Sequence, residues 1–164
     1  MFKLRSAFTG TLLFFAIGLQ ISCSETGPAG VARQSSETPQ MEVFKSASCG
    51  CCNKWIEHME NSGFDVNPRN RVNMNTIKRE FDIAPQYQSC HTAKYEGYVF
   101  EGHIPAAVIQ RFLDERPDDA IGLAVPGMPA GSPGMEMGDR FDKFDVLLLK
   151  SDGSAEVYAH IDQP

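Results

Sequence analysis

The chain carries little positive charge, and this shortage excludes a class of function. Lys and Arg number 15 against 21 for Asp and Glu, and the formal net charge of the 164 residues is −6. The sequence holds no basic patch of the kind that a general nucleic-acid binder needs, so we predict no nucleic-acid partner. Disorder throughout the chain is excluded as well, because 42% of the residues are hydrophobic.

Long apolar runs are also scarce, and the chain has one, near its start. Residues 7–21 are uncharged and mostly apolar, but this run is too short to span a bilayer comfortably. Lys3 and Arg5 precede it, and a basic stretch before a short apolar one is typical of an export signal. We therefore predict an export signal at residues 1–22 and a location in the periplasm.

The predicted signal ends at a sequence that resembles a bacterial lipoprotein box. Ile21-Ser22-Cys23-Ser24 places a cysteine where such boxes are cleaved and lipidated, although Gln20 stands where they usually have leucine. The pattern predicts a membrane anchor through Cys23, with an ordinary cleaved signal as the alternative. Residues 23–40 are rich in Ser, Thr, Gly, Pro, Gln and Glu and predict a flexible tether, which leaves residues 41–164 to fold as one domain.

The richest chemistry lies in Ser48-Cys49-Gly50-Cys51-Cys52-Asn53, where three thiols fall within four residues. A short apolar run at 41–45 precedes this motif. An apolar stripe at helical spacing follows it, formed by Cys52, Trp55, Ile56 and Met59. The thiols are therefore expected at a strand-to-helix turn, where the positive end of the helix dipole favours the thiolate. Such thiols are nucleophilic and are good ligands for soft metals.

The patterns along residues 41–164 predict an α/β domain of the thioredoxin-like kind. Strand, helix and strand at 41–45, 52–61 and 64–67 make a βαβ start, and Ser151-Asp152-Gly153-Ser154 joins two late strands as an antiparallel β-hairpin. Between these units the sequence predicts a helix, a strand, a second helix and a long loop, at 74–81, 95–101, 105–117 and 121–138. The loop has too many Gly and Pro for a regular element and carries three methionines.

Four cysteines are available to this domain, namely Cys49, Cys51, Cys52 and Cys90. They allow three disulfide pairings, of which Cys49 with Cys52 has the C-x-x-C spacing of thiol–disulfide oxidoreductases, but the sequence does not choose among them. Cys51 is a thiol that a redox pair does not need, and it suggests metal binding. Thiolate and thioether select Cu(I), and imidazole suits copper and zinc.

Other candidate ligands are two histidines and the loop methionines. His91 adjoins Cys90 and is either a ligand or a solvated loop residue, while His103 precedes a helix start and is either a ligand or a neighbour of the helix cap. Met128, Met135 and Met137 lie on no apolar stripe, so they are either ligands or fillers of irregular gaps. His58 lies two helical turns after Cys51, too far along the helix to share one metal ion with that thiol.

Four motifs in this order resemble the CopG-like family of exported bacterial copper-resistance proteins, long catalogued as a domain of unknown function. The motifs are Lys45-Ser46-Ala47-Ser48-Cys49-Gly50-Cys51-Cys52, Ser89-Cys90-His91-Thr92, Glu101-Gly102-His103-Ile104-Pro105, and the loop from Gly122 through Met137-Gly138. The resemblance implies a thioredoxin-like fold whose C-x-C-C motif binds copper and cycles it between Cu(I) and Cu(II). The copper ligands it implies are Cys49, Cys51, Cys52 and Cys90, followed by His91, His103, Met128, Met135 and Met137.

Three functions are therefore open at this stage. The first is copper binding and copper redox chemistry in the periplasm, with copper ions and other copper-handling or redox proteins as partners. The second is a thiol–disulfide oxidoreductase in which Cys49 and Cys52 form the catalytic pair. The third is a structural zinc site closed by four cysteines, which the methionines disfavour because thioether is a poor zinc ligand.

Overall fold

The computed structural model describes residues 39–163, which form a mixed α/β fold around one seven-stranded sheet. The strand order in the sheet is β2-β1-β3-β4-β5-β6-β7. The elements in chain order are β1 Met41–Lys45, α1 Gly50–Asn61, β2 Val66–Asn70, α2 Met74–Glu80, a 3-10 turn Pro85–Tyr87, β3 Thr92–Tyr95, β4 Tyr98–Glu101, α3 Ala106–Glu115, β5 Ala120–Ala124, β6 Phe144–Lys150 and β7 Ala155–Ile161. The predicted export signal, most of the tether and Cys23 lie outside the described residues.

The predicted βαβ start is confirmed. β1 pairs with β2 in parallel, with Met41 opposite Val66, and α1 forms the crossover. The apolar stripe of α1 is buried as predicted. The second strand lies at Val66–Asn70 instead of 64–67, and it includes Pro68 because β2 is an edge strand, where a missing N–H breaks no ladder bond.

The strand predicted within 95–101, at Tyr98, Val99 and Phe100, is confirmed as β4, and a hairpin turn separates it from Tyr95, which ends β3. β3 and β4 pair in antiparallel fashion, with Tyr95 opposite Tyr98. The two residues between them, Glu96 and Gly97, have φ of 48° and 87°. Positive φ at both central positions matches the twist of a two-residue hairpin. The sequence signal for this turn is weak because Glu96 takes the place of the Asn or Asp that usually marks it.

The loop predicted at 121–138 is wrong at its beginning, where β5 forms a central strand. β5 pairs in parallel with β4 and antiparallel with β6. A Cβ at Gly122 would lie 1.7 Å from the Val99 carbonyl oxygen, so this glycine allows the close approach of β5 to β4. The rest of the stretch has no helix and no strand of the sheet, and the antiparallel β6–β7 hairpin is confirmed.

The core lies mainly between the sheet and two helices. Trp55 of α1, Ile109 and Phe112 of α3, and Phe100 of β4 are fully buried in one hydrophobic cluster. Val99, Ala124 and Leu149 form a smaller cluster, and Phe81 packs against it. Each of the three is adjacent in its strand to a residue of the main core. Because successive side chains of a strand point to opposite faces, this cluster lies on the other face of the sheet. No helix between residues 39 and 163 is both long enough and apolar enough to cross a membrane.

Candidate metal centre

The four predicted thiols converge where β1 passes into α1. Cys49 is the N-cap residue of α1, Cys51 and Cys52 lie in its first turn, and Cys90 comes from the segment that precedes β3. Their sulfur atoms all lie within 4.8 Å of one another. Because Cys90 lies 38 residues beyond Cys52, only the folded sheet brings the four together.

One disulfide is present in residues 39–163, and it has the C-x-x-C spacing. Cys49 and Cys52 are joined, with their Cα atoms 5.4 Å apart, while Cys51 and Cys90 are free thiols in the described part of the chain. Each free thiol lies next to one half of the disulfide. The Sγ of Cys51 is 3.5 Å from that of Cys49, and the Sγ of Cys90 is 3.6 Å from that of Cys52.

Both predicted histidines contact Cys90, and both are fully buried. The Cys90 Sγ lies 3.0 Å from His103 Nε2 and 3.3 Å from His91 Nδ1. His103 Nδ1 lies 2.8 Å from the Pro133 carbonyl oxygen. Because a carbonyl only accepts, Nδ1 carries the ring proton and Nε2 presents its lone pair to the thiol. His103 therefore belongs to the thiol cluster instead of serving only as a neighbour of the α3 cap.

Burial keeps both imidazoles neutral. Burial lowers the pKa of His91 well below its ordinary value, and the positive charges that His103, Lys78 and Lys45 can carry lower this pKa further. Burial also lowers the pKa of His103, although its bond to Pro133 and the charge of Glu136 oppose the shift. Neutral imidazole is the form that ligates metals. Within residues 39–163, His91 Nε2 is a buried side-chain atom with no hydrogen-bond partner, and its ring packs on Trp55 with centroids 4.4 Å apart.

Cys90 is a protonated thiol in the absence of a metal. Burial raises the pKa of Cys90 to about 12, and the negative charge that Cys51 can carry contributes to this shift. A soft metal needs the thiolate, so binding at Cys90 must displace a proton. The neighbouring His103 Nε2 is placed to receive it.

The loop that carries Met128, Met135 and Met137 contacts the beginning of α1 through its backbone. A Cβ at Gly134 would lie 2.7 Å from the Cys51 carbonyl oxygen and 2.8 Å from the backbone nitrogen of Trp55, so only glycine allows this approach. Gly134 follows Pro133, whose carbonyl holds His103. Met135 is half-buried, while Met128 and Met137 are 53% and 57% exposed. The assignment of these three methionines as ligands stays a prediction.

A buried ion pair is linked to the residue before Cys90, and neither of its two members has a role assigned from the sequence. Lys78 Nζ contacts Glu101 Oε1, and both side chains are almost completely buried. Glu101 also accepts hydrogen bonds of 2.6 Å from the Ser89 N–H and from the Thr92 hydroxyl. The pair therefore fixes the backbone directly before Cys90. A glutamate at the end of the apolar run 98–100 is the one signal in the sequence that could reveal it.

His58 lies outside the thiol cluster and has a structural contact of its own. Its Nε2 accepts a hydrogen bond of 3.0 Å from the Ala106 N–H, the first residue of α3. The N-cap of that helix is Pro105, whose side chain makes no capping bond. His58 therefore caps α3 from the neighbouring helix.

Taken together, the fold and this cluster define an α/β protein with a group of thiols and imidazoles that could hold a metal ion. Comparison with known proteins agrees. A family described as "Protein of unknown function, DUF411" matches residues 87–135. No curated protein matches the chain. Two solved structures named copper resistance protein CopG, form 2 and form 1, are similar to it at 41% and 42% identity and TM-scores of 0.72 and 0.71; each match covers 76% of this chain and 98% of the other. The chain belongs to the CopG-like copper-resistance family.

Proposed function

We propose that this protein binds Cu(I) as its cargo through the thiol cluster. The observation that carries the proposal is the convergence of four sulfur atoms within 4.8 Å, with two buried imidazoles against one of them. Thiolate and thioether are soft ligands, and Cu(I) is a metal ion that such ligands favour. The copper-related role of the family, whose solved relatives are named copper resistance proteins, supports the same cargo.

The ligand set is Cys49, Cys51, Cys52 and Cys90, with His91 and His103 as imidazole ligands. Met128, Met135 and Met137 complete the proposed set, because their loop is held against α1 beside the thiols through Gly134. Structural zinc is the weaker candidate. The proposed set includes three methionines, and thioether is a poor zinc ligand.

We further propose that the Cys49–Cys52 pair exchanges electrons with copper. Two Cu(II) ions take one electron each from the two thiolates, which join as the disulfide, and two Cu(I) ions result; the reverse reaction returns the electrons. The disulfide at the N-terminus of α1, within a βαβ unit, supports this chemistry, since thioredoxin-like oxidoreductases place their C-x-x-C pair at such a turn. The thioredoxin-like assignment of the domain is part of this proposal.

The proposed setting is the periplasm, with the domain tied to a membrane by a lipid at Cys23 and supplied by other copper-handling or redox proteins. Two sequence features support this setting: the basic and apolar stretch at residues 1–22, and Cys23, which directly follows it. An oxidising compartment also suits a protein whose described part contains a disulfide.

A competition titration with a coloured Cu(I) chelator tests the copper site. The reduced full chain should compete for Cu(I), and Cys52→Ser should weaken the affinity by about tenfold or more, which corresponds to about 1.4 kcal/mol. His58→Ala is the control, because His58 contacts α3 and not the thiols. Equal losses in the two variants, or tighter binding of Zn(II) than of Cu(I), would contradict the assignment.

The second candidate function is a thiol–disulfide oxidoreductase acting on protein thiols, which the Cys49–Cys52 disulfide favours. An insulin-reduction assay run beside the copper titration separates the two. Reduction of insulin by a variant that has lost Cu(I) binding would support the oxidoreductase, whereas copper binding without insulin reduction supports the copper function.

A further inference from the structure

Lys45, the last residue of β1, is a buried cation without an anion. It is 4% exposed, and its Nζ donates to two neutral oxygens, the side-chain carbonyl of Asn70 at 3.2 Å and the Ser46 carbonyl at 3.3 Å. Between residues 39 and 163 it pairs with no carboxylate, whereas the other buried lysine, Lys78, pairs with Glu101. Burying a charge without a counter-charge is costly, so Lys45 occupies a position that opposes the stability of the fold.

The ammonium of Lys45 lies beside the start of α1. Met41 and Val43 are core residues, and Lys45 continues their period of two, so it shares the face of the sheet on which α1 packs. The Ser46 carbonyl that accepts from Lys45 also accepts from the Cys49 N–H, at 3.1 Å. One carbonyl oxygen therefore binds both the ammonium and the N-cap residue of α1, which supplies the first thiol of the cluster.

Copper binding supplies the negative charge that is missing here. A thiolate ligand carries one negative charge and a Cu(I) ion carries one positive charge, so a site with more thiolates than copper ions is an anion. The reduced protein offers four thiols within 4.8 Å. The first Cu(I) ion, bound by two or more thiolates, leaves the cluster with a net negative charge. Taking such an anion out of water is costly unless a cation lies near it.

We infer that the ammonium of Lys45 compensates the negative charge of the Cu(I)–thiolate cluster and thereby raises the affinity for Cu(I). The inference rests on the proposed Cu(I) function and adds to it a residue outside the ligand set. Lys45 is a positioning residue, because it acts on the copper through the thiolates. In the oxidised metal-free protein two of the four thiols form a disulfide, and the ammonium has no such anion to stabilise.

Coulomb's law gives the size of the effect. The ammonium and the Cys49 N–H bind the same oxygen, so Lys45 Nζ lies roughly 10 Å or less from the Cys49 sulfur. At an effective dielectric of about 20, one unit charge at roughly this distance changes an affinity by about tenfold. The loss of the ammonium should therefore appear in the Cu(I) affinity and not in the stability of the metal-free fold.

Three variants at position 45 separate charge from hydrogen bonding and packing. Lys45→Arg keeps the charge, Lys45→Gln keeps a hydrogen-bond donor, and Lys45→Met keeps most of the buried stem. Each reduced full chain competes with a coloured chelator for one equivalent of Cu(I). Lys45→Gln and Lys45→Met should each weaken the affinity by about tenfold, and Lys45→Arg should stay within about threefold of the wild type. Wild-type affinity in the Gln or Met variant would overturn the inference.

Lys54→Gln is the matched control for the loss of one positive charge. Lys54 lies two residues after Cys52 on α1, but its side chain is exposed, so water and salt screen its charge. At about 0.15 M salt its loss should change the Cu(I) affinity by less than about threefold. Equal losses in Lys54→Gln and Lys45→Gln would show that the net charge of the protein, and not the buried ammonium, sets the affinity, and the inference would be wrong.

Urea unfolding of the oxidised metal-free proteins tests whether Lys45 is merely structural. The midpoint of Lys45→Met should equal or exceed that of the wild type, because a buried charge without a counter-charge is removed and the exposed Asn70 can bond to water. A lower midpoint together with weaker Cu(I) binding would indicate a structural role and refute the inference. Failure of the wild-type chain to compete for Cu(I) would instead refute the proposed function itself.

Discussion

Loss of the ammonium of Lys78 should be among the most damaging single changes in this domain. The side chains of Lys78 and Glu101 are 5% and 0% exposed, so Lys78→Met leaves a carboxylate buried without a counter-charge. Removing one partner of such a pair costs about 3–5 kcal/mol, a large share of the roughly 5–15 kcal/mol that stabilises a typical domain.

The double variant Lys78→Met/Glu101→Gln distinguishes charge from packing. Its amide side chain at position 101 has no charge to neutralise and still offers an oxygen to the Ser89 N–H, so the double variant should recover at least about 2 kcal/mol relative to Lys78→Met alone. Urea unfolding followed by far-UV circular dichroism measures each free energy of unfolding. Lys150→Met is the matched control, because Lys150 pairs with Glu156 at the surface and its loss should cost under about 1 kcal/mol. The single variant Glu101→Gln is measured as well. If the double variant loses as much free energy of unfolding as Lys78→Met and Glu101→Gln lose together, the reasoning is refuted.

Two further predictions concern the cap of α3 and the start of the chain. His58→Ala should cost about 1 kcal/mol at pH 7.5, as loss of a cap does, and less at pH 5. Burial lowers the pKa of His58 below 6.5 although Glu136 opposes the shift, so the neutral cap stabilises the fold fully above pH 6.5 and is lost as the pH falls through the folded-state pKa. Denaturant unfolding at both pH values measures this, with His160→Ala as control, and an equal loss at both would contradict it. Cys23→Ala should move the protein from the membrane fraction to the soluble fraction, with the domain still folded; unchanged fractionation would mean that no lipid is attached there.

The sequence predicts those parts of the fold that depend on local pattern. The stripe of α1 has a helical period and the β6–β7 turn has a clear Asp-Gly signal, so both predictions are confirmed. The β3–β4 turn has glutamate at its first position, and β5 lies directly before a stretch rich in Gly and Pro, so their local signals are weak. Pairing with the neighbouring strands stabilises both elements, and such pairing is not visible in a single sequence.

The candidate site shows the same division. The C-x-C-C motif is local and visible in the sequence, and adjacency suggests that His91 accompanies Cys90. The ion pair of Lys78 and Glu101 joins two elements 23 residues apart, and neither residue type is expected in a core. The choice of Cys49–Cys52 among the possible disulfides likewise requires the folded positions of the sulfurs.

The contact between Trp55 and His91 gives the protein an optical reporter of its own. The chain contains one tryptophan, so its intrinsic emission comes from a single indole ring. That ring is fully buried, donates its N–H to the Ile104 carbonyl at 2.9 Å, and packs on the imidazole of His91 with centroids 4.4 Å apart. Any change in the charge, ligation or orientation of His91 alters the surroundings of the only indole. The fluorescence of the unlabelled protein is therefore expected to report changes at the imidazole of His91, without a dye or an added chromophore.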